Sequence, residues 1–141
     1  MATIVIGVGA GLAILSTQNP IPEQLRAAAK YPVYYPSKLP AGYKYEKNSA
    51  VIKKGTLFYR IRNGKEAISI AQQAKTASAD KIKSIKGFDQ QKYDAGKAFV
   101  RSSGKPSIVV LADGTLVNVG GSSDATRAAA EAMAKSLARV N

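Results

Sequence analysis

Apolar and polar positions alternate with period two along one stretch of the chain, a second is apolar on both faces, and each is broken once by a glycine-containing turn. The first centres on Asn63-Gly64. A two-residue type I′ turn there, with positive φ at both central residues, sets Tyr59 opposite Ile68 and Leu57 opposite Ile70. Together with Ile61 these side chains share one face, while Phe58, Arg60, Arg62, Ala67 and Ser69 share the other. One face is apolar and the other mixed and basic, so the register is self-consistent. The second stretch centres on Asp113-Gly114 and pairs Val110 with Val117 and Ile108 with Val119. Leu111 and Leu116 lie on its opposite face, which predicts a central hairpin covered on both sides. Residues 43–49 and 97–102 read as two further strands.

Helical patterning is confined to short segments. Asn19-Pro20 reads as a helix start, with residues 23–30 forming a short helix that ends before Pro32. Pro32, Pro36 and Pro40 hold residues 31–43 in extended or edge structure, and Pro40-Ala41-Gly42 suits a turn. The tyrosines of that segment either form a stacking platform for bases or glycans, or pin it to the sheet with their hydroxyls at the wet edge; the second is expected. Ser78 is placed to cap a short helix through Lys86, with Ile82 and Ile85 inward and Gly87 ending it. Ser123-Asp124 leads into an alanine-rich helix over residues 125–140. There Met133, Leu137 and Val140 share a face, and Asp124, Lys135 and Arg139 complement the helix dipole. The fold class is α+β: an antiparallel sheet of about five or six strands with the C-terminal helix packed on it, preceded by an apolar segment.

Charge divides the chain unevenly. Lys and Arg number 21 against 9 Asp and Glu, a net +12, and every charged side chain lies from Glu23 onward. Residues 1–19 read as an apolar membrane-type segment and residues 20–141 as one α+β domain. The run at residues 4–15 falls short of the roughly 20 residues of a full span, unless it continues a longer one. A signal peptide would require basic residues ahead of the run, and a buried core element would have the same length. Gly7 and Gly11 offer a candidate helix-packing face. The same glycines imitate a dinucleotide-binding loop, but Gly11 comes one residue early for G-x-G-x-x-G, and Pro20 and Pro22 would stop the following helix. No cofactor is expected.

Candidate chemistry is sparse. The absence of Cys and His removes disulfides, thiolate or imidazole metal sites, and Ser-His-Asp or Cys-His nucleophiles. Of the carboxylates, Asp113 serves a turn, Asp124 starts a helix and Glu66 sits beside a hairpin, leaving Asp89 and Asp94 near Tyr93 without a role. No catalytic or metal-binding residue is expected. The basic excess calls for anionic partners instead. Arg60, Arg62, Lys81, Lys83, Lys86, Lys97 and Arg101 are the candidate contacts to an anionic surface, either lipid headgroups or a phosphate-rich wall polymer. A nucleic-acid binder is the alternative, although no recognition helix or RNP-like strand is visible. A self-assembling subunit packed through its apolar N-terminus, and hence a homo-oligomer, is a further one.

One stretch carries a likeness. Tyr35-Pro36-Ser37-Lys38-Leu39-Pro40-Ala41-Gly42-Tyr43 resembles the Y-P-x-x-L-P-x-G-Y opening of a bacterial domain family of unknown function, found in membrane-anchored envelope proteins and anti-sigma-factor-like ectodomains. Leu57-Phe58-Tyr59-Arg60-Ile61, Ala67-Ile68-Ser69-Ile70-Ala71 and Gly96-Lys97-Ala98-Phe99-Val100 extend the resemblance to about residues 31–140. It implies a non-catalytic, extracytoplasmic binding or sensing domain at the cell membrane, held by a single-pass transmembrane helix, and it transfers no site residue. With Met1 as the start, Arg26 and Lys30 just after the apolar run would instead orient the domain to the cytoplasm; a basic head before the run would reverse this.

Overall fold

The computed structural model describes residues 19–141. Two helices, α1 (Glu23–Ala29) and α2 (Arg127–Lys135), accompany ten strands. The strands are β1 (Tyr34–Pro36), β2 (Lys44–Tyr45), β3 (Val51–Lys53), β4 (Thr56–Asn63), β5 (Glu66–Ala74), β6 (Phe88–Tyr93), β7 (Gly96–Arg101), β8 (Ser107–Ala112), β9 (Thr115–Gly121) and β10 (Leu137–Arg139). Eight of them form an antiparallel sheet in the order β2-β4-β5-β9-β8-β7-β6, with β3 paired to β4 beside β2, and β1 pairs with β10 as a separate ribbon. The α+β class and the C-terminal helix follow the expectation; the strand count exceeds it.

The added strands come from two hairpins with weak turn signals. Lys54 and Gly55 both take positive φ (50° and 83°) between β3 and β4, the type I′ arrangement. β6 and β7 close over Asp94-Ala95, with Tyr93 opposite Gly96. A Cβ on Gly96 would lie 2.1 Å from the Leu111 carbonyl oxygen, so only glycine permits this approach to β8.

The Asp113-Gly114 hairpin has the expected register, Val110 against Val117 and Ile108 against Val119. Around Asn63-Gly64 the register differs. Asn63 pairs with Glu66, so the turn residues are Gly64 and Lys65, and Tyr59 faces Ile70 while Ile61 faces Ile68. Gly64 alone carries positive φ (60°) there, the glycine-first arrangement of a type II′ turn. The slip of two residues leaves the division of faces intact.

The inner face of the sheet builds the core. Leu57, Tyr59 and Ile61, Ile68 and Ile70, Ala98 and Val100, Ile108 and Val110, and Val117 and Val119 are all buried there. Ala129, Ala130, Met133 and Ala134 of α2 pack on it, the alanines letting the helix come close. The β1–β10 ribbon covers another part through Val33, Tyr34, Tyr35 and Leu137. Its attachment is polar at one point. The buried Gln72 side chain accepts the Tyr34 N–H at 2.8 Å and donates back to the Tyr34 carbonyl, which also accepts the Tyr59 hydroxyl at 2.9 Å. The Tyr31 hydroxyl donates to the Gln72 carbonyl (2.8 Å) and accepts the Leu57 N–H (3.2 Å). The proline-tyrosine segment is thus pinned to the sheet. Burial pushes the Tyr35 phenol up to about 12.

Several local expectations are corrected. Asn19 does not cap α1; its side chain accepts the Ile21 N–H at 3.0 Å, and Pro22 occupies the N-cap position. The segment following β5 makes only a 3₁₀ turn (Ala77–Lys81) before running extended, because Ile82 and Ile85 reach the sheet without a helix. The C-terminal helix stops at Lys135, and Leu137 enters β10, where residues 137–139 pair with β1 and Leu137 is buried in the core. Among the described residues no helix is long and apolar enough to cross a membrane. α1 and α2 have 7 and 9 residues, whereas a span needs about 20, so neither is the expected single-pass transmembrane helix, and the apolar run at residues 4–15 on which that expectation rested lies outside the described residues. The packing face assigned to Gly7 and Gly11 lies outside the described residues.

Candidate functional site

Strand parity determines which side chains leave the core. In β4 the residues between Leu57, Tyr59 and Ile61 are Phe58, Arg60 and Arg62, and all three are exposed on the outer face. Cross-strand pairing adds Lys44 opposite Arg62, Lys53 opposite Thr56, Ser69 opposite Arg60 and Ala71 opposite Phe58. In β7 the same parity turns Lys97, Phe99 and Arg101 outward, with Lys92 of β6 opposite Lys97.

The outer face is covered over one half only. Residues 75–87 form a strap whose Ala79, Ile82 and Ile85 pack with Phe88, Phe99, Val109, Leu111 and Leu116 in a second small apolar cluster over β6–β9. The strap is held at one end by the Lys75 N–H on the Gly114 carbonyl (3.1 Å) and a Lys75–Asp80 ion pair (2.8 Å). Further along, the Lys97 ammonium donates to the Ile82 carbonyl at 3.0 Å. With its apolar residues turned inward, the strap leaves Lys81, Lys83 and Lys86 exposed, their side chains unpaired among the described residues.

All seven basic residues singled out from the sequence therefore lie on one side of the sheet, four on its outer face and three on the strap. They are not equivalent. Lys97 is committed to the strap. The Arg101 guanidinium stacks 5.5 Å from the Phe88 ring centroid and donates to the Lys105 carbonyl at 3.3 Å, holding the loop after β7. Arg60 and Arg62 share the Glu46 carboxylate, which the two guanidiniums hold below its ordinary pKa, Arg60 contributing most. Lys81, Lys83 and Lys86 are unencumbered.

Over the other half, β3–β5 and residues 46–50 enclose a cleft of about 380 Å³ lined by Asn48, Ser49, Val51, Lys53, Phe58, Tyr59, Arg60, Ser69 and Ile70. Phe58 is 42 % exposed and is the one large hydrophobic side chain so exposed among the described residues. Sequence patterning placed it on the mixed face but attached no role to it; an aromatic at an outward strand position beside Arg60 was the available signal. Lys53 and Asn48 carried no such signal, because the turns that bring them in were unread.

Among the described residues the carboxylates are dispersed. No carboxylate lines the cleft. Glu66 accepts the Ser122 and Ser123 hydroxyls, Asp124 lies 3.7 Å from Arg127, Asp89 sits exposed on the edge strand β6 and Asp94 in the β6–β7 turn. Among the described residues no three acidic side chains gather as a metal site would require. No protein-family model matches this chain, and no curated protein matches it.

Proposed function

We propose that the chain is a non-catalytic binding or sensing domain of the bacterial cell envelope, acting outside the cytoplasm, whose basic outer face engages phosphate-bearing envelope material. The observation that carries this reading is the collection of Arg60, Arg62, Lys81, Lys83 and Lys86 on one side of the sheet, with the strap lysines unpaired. Glu46 and Asp80 are each already engaged there, so the net charge of that side remains strongly positive. Charges spread over a broad face suit a diffuse anionic surface better than a groove, because each adds a small, salt-screened attraction. The likeness of residues 35–43 to envelope domains supports the address.

The test is retention of the described domain on vesicles of phosphatidylglycerol, on glycerol-phosphate polymer and on duplex DNA across a salt series. Retention on the first or second that falls with salt, and that Lys81→Glu, Lys83→Glu and Lys86→Glu together abolish, is the expected result. Tighter retention on DNA with a steeper salt slope would overturn it in favour of nucleic-acid binding.

A further inference from the structure

The cleft beside Phe58 has a composition that a diffuse surface interaction does not require. A phenylalanine on a solvent-facing strand position is normally replaced by a polar residue or covered, as Phe99 is covered by the strap on the other half of this face. Phe58 is neither. Its cross-strand neighbours are Val51 on β3 and Ala71 on β5, and Ser69 lies opposite Arg60; with small side chains beside it on β5, Phe58 remains 42 % exposed and lines the cleft.

The polar groups around the ring are of two kinds. Lys53 supplies positive charge at one wall, whereas the Arg60 guanidinium at another is already engaged by Glu46. Asn48 and Ser69 supply neutral donors and acceptors that bond nothing else among the described residues. Asn48 is set in place by a left-handed backbone conformation (φ 65°), and the neighbouring Ser49 hydroxyl is anchored by accepting the Arg60 N–H at 3.0 Å. The Glu46 N–H donates to the Arg60 carbonyl at 2.8 Å, so this wall is tied to β4 from both sides of the loop. The cleft's volume falls within the range of small-ligand sites, about 300–1,000 Å³, and its wall is preformed.

We infer that this cleft binds an anionic saccharide unit, with one sugar ring on Phe58 and its phosphate at Lys53. The aromatic face is electron-rich and attracts the weakly positive C–H face of a pyranose, while ring hydroxyls are matched by Asn48 and Ser69. A nucleotide would place its base on the same ring, but base-binding platforms use several exposed aromatics in series, and the other aromatic of the cleft, Tyr59, is buried. The inference rests on reading this face as anion-binding and names the unit that it recognises. The two halves of the face then act differently, the strap lysines attracting the polymer and the cleft selecting the sugar.

The experiment is a titration of the full chain with glucose phosphate, glycerol phosphate, glucose and adenosine monophosphate, followed by calorimetry and by amide shifts of Asn48, Phe58 and Ser69. Glucose phosphate should bind about tenfold more tightly than glycerol phosphate, and Phe58→Ser should remove that difference. Lys53→Glu should weaken both phosphates. Phe58 is exposed, so the variant is expected to keep its fold, checked by an unchanged melt. Equal binding of glucose phosphate and glycerol phosphate, tighter binding of adenosine monophosphate, or no shift at the three amides would each overturn the inference. The triple strap variant separates this from the surface reading: if it retains glucose phosphate in the cleft but binds neither vesicle nor polymer, both stand. If it still binds the vesicle or polymer as the parent does, the surface reading fails while the cleft result is unaffected.

Discussion

The two faces of the sheet are drawn from the same strands, residue by residue in alternation, yet they solve different problems. The inner face is continuous: aliphatic side chains from β4, β5, β9, β8 and β7 meet α2 and the β1–β10 ribbon, and its buried polar side chains Gln72 and Thr115 are engaged by Tyr34 and the Pro32 carbonyl. The outer face is discontinuous. Its β6–β9 half is closed by a strap with no helix beyond one 3₁₀ turn, and its β3–β5 half is left open with an aromatic and two arginines showing. Stability therefore resides on one side, and what remains for recognition is the other.

A matched pair of substitutions tests that division most severely. Val117→Asp puts a carboxylate at a fully buried inner position, at a cost of several kcal/mol against a total stability of about 5–15 kcal/mol. The thermal melt should lose its cooperativity. Ser69→Asp, on the exposed side of the adjacent strand, should change stability by no more than about 0.5 kcal/mol. Comparable destabilisation by the two would mean that the faces are not distinct.

The strap half is intermediate. Phe99 is fully buried although it points outward, and truncating it removes the ring on which Ala79 and Ile82 rest. Phe99→Ala should cost about 3 kcal/mol and speed amide exchange selectively across residues 75–87. If exchange in α2 and the β1–β10 ribbon rises equally, the strap is part of the main core and not a separate layer.

Much of this division was legible in the residues alone. The alternation through Leu57 to Arg62, and the Asp113-Gly114 turn, assign both faces of β4, β8 and β9 correctly, because period-two patterning survives even a two-residue slip of register. What escaped has physical causes. Lys54-Gly55 and Asp94-Ala95 make tight turns without Asn-Gly or Asp-Gly, so β3 and β6 were hidden. Leu137 fits a helical face by spacing but is drawn into β10 by pairing with Pro36, a long-range contact that no local periodicity contains. Of the site, the seven basic residues were legible as charge; strand parity puts Arg60, Arg62, Lys97 and Arg101 on one side, whereas Lys81, Lys83 and Lys86 join them only because the strap packs there through Ile82 and Ile85. The cleft was not, since it depends on Asn48 and Lys53 arriving through the unread turn.

A smaller effect probes the Gln72 polar knot on the inner face. Gln72→Leu keeps the volume but leaves the Tyr34 N–H without its acceptor, which should destabilise by about 1–3 kcal/mol in a denaturant melt. A neutral result would mean that Tyr34 finds another partner and that the ribbon is held by packing alone. Alkaline titration reaches the same ribbon by another route. The Tyr35 phenol is raised to about 12 from an ordinary value of 10.0, chiefly by burial, so the neutral form is favoured in the folded state. Its contribution is complete below pH 10 and is lost as pH rises toward 12, and Tyr35→Phe should delay alkaline unfolding in that window. Tyrosinate absorbance that appears before any loss of structure would contradict this.

One further small change is the most diagnostic of the outer face. Removing a large aromatic from a folded domain ordinarily costs several kcal/mol, because the ring is surrounded and its loss opens a cavity. Phe58 is partnered on the sheet only by Val51 and Ala71 and faces solvent on the side of the cleft. Phe58→Ser should therefore shift stability by at most about 0.5–1 kcal/mol, most of it the β-propensity of the replaced residue. A loss as large as that of Phe99→Ala would show the ring to be a packing element, and the open half of the face would then have no side chain kept there for anything but the fold.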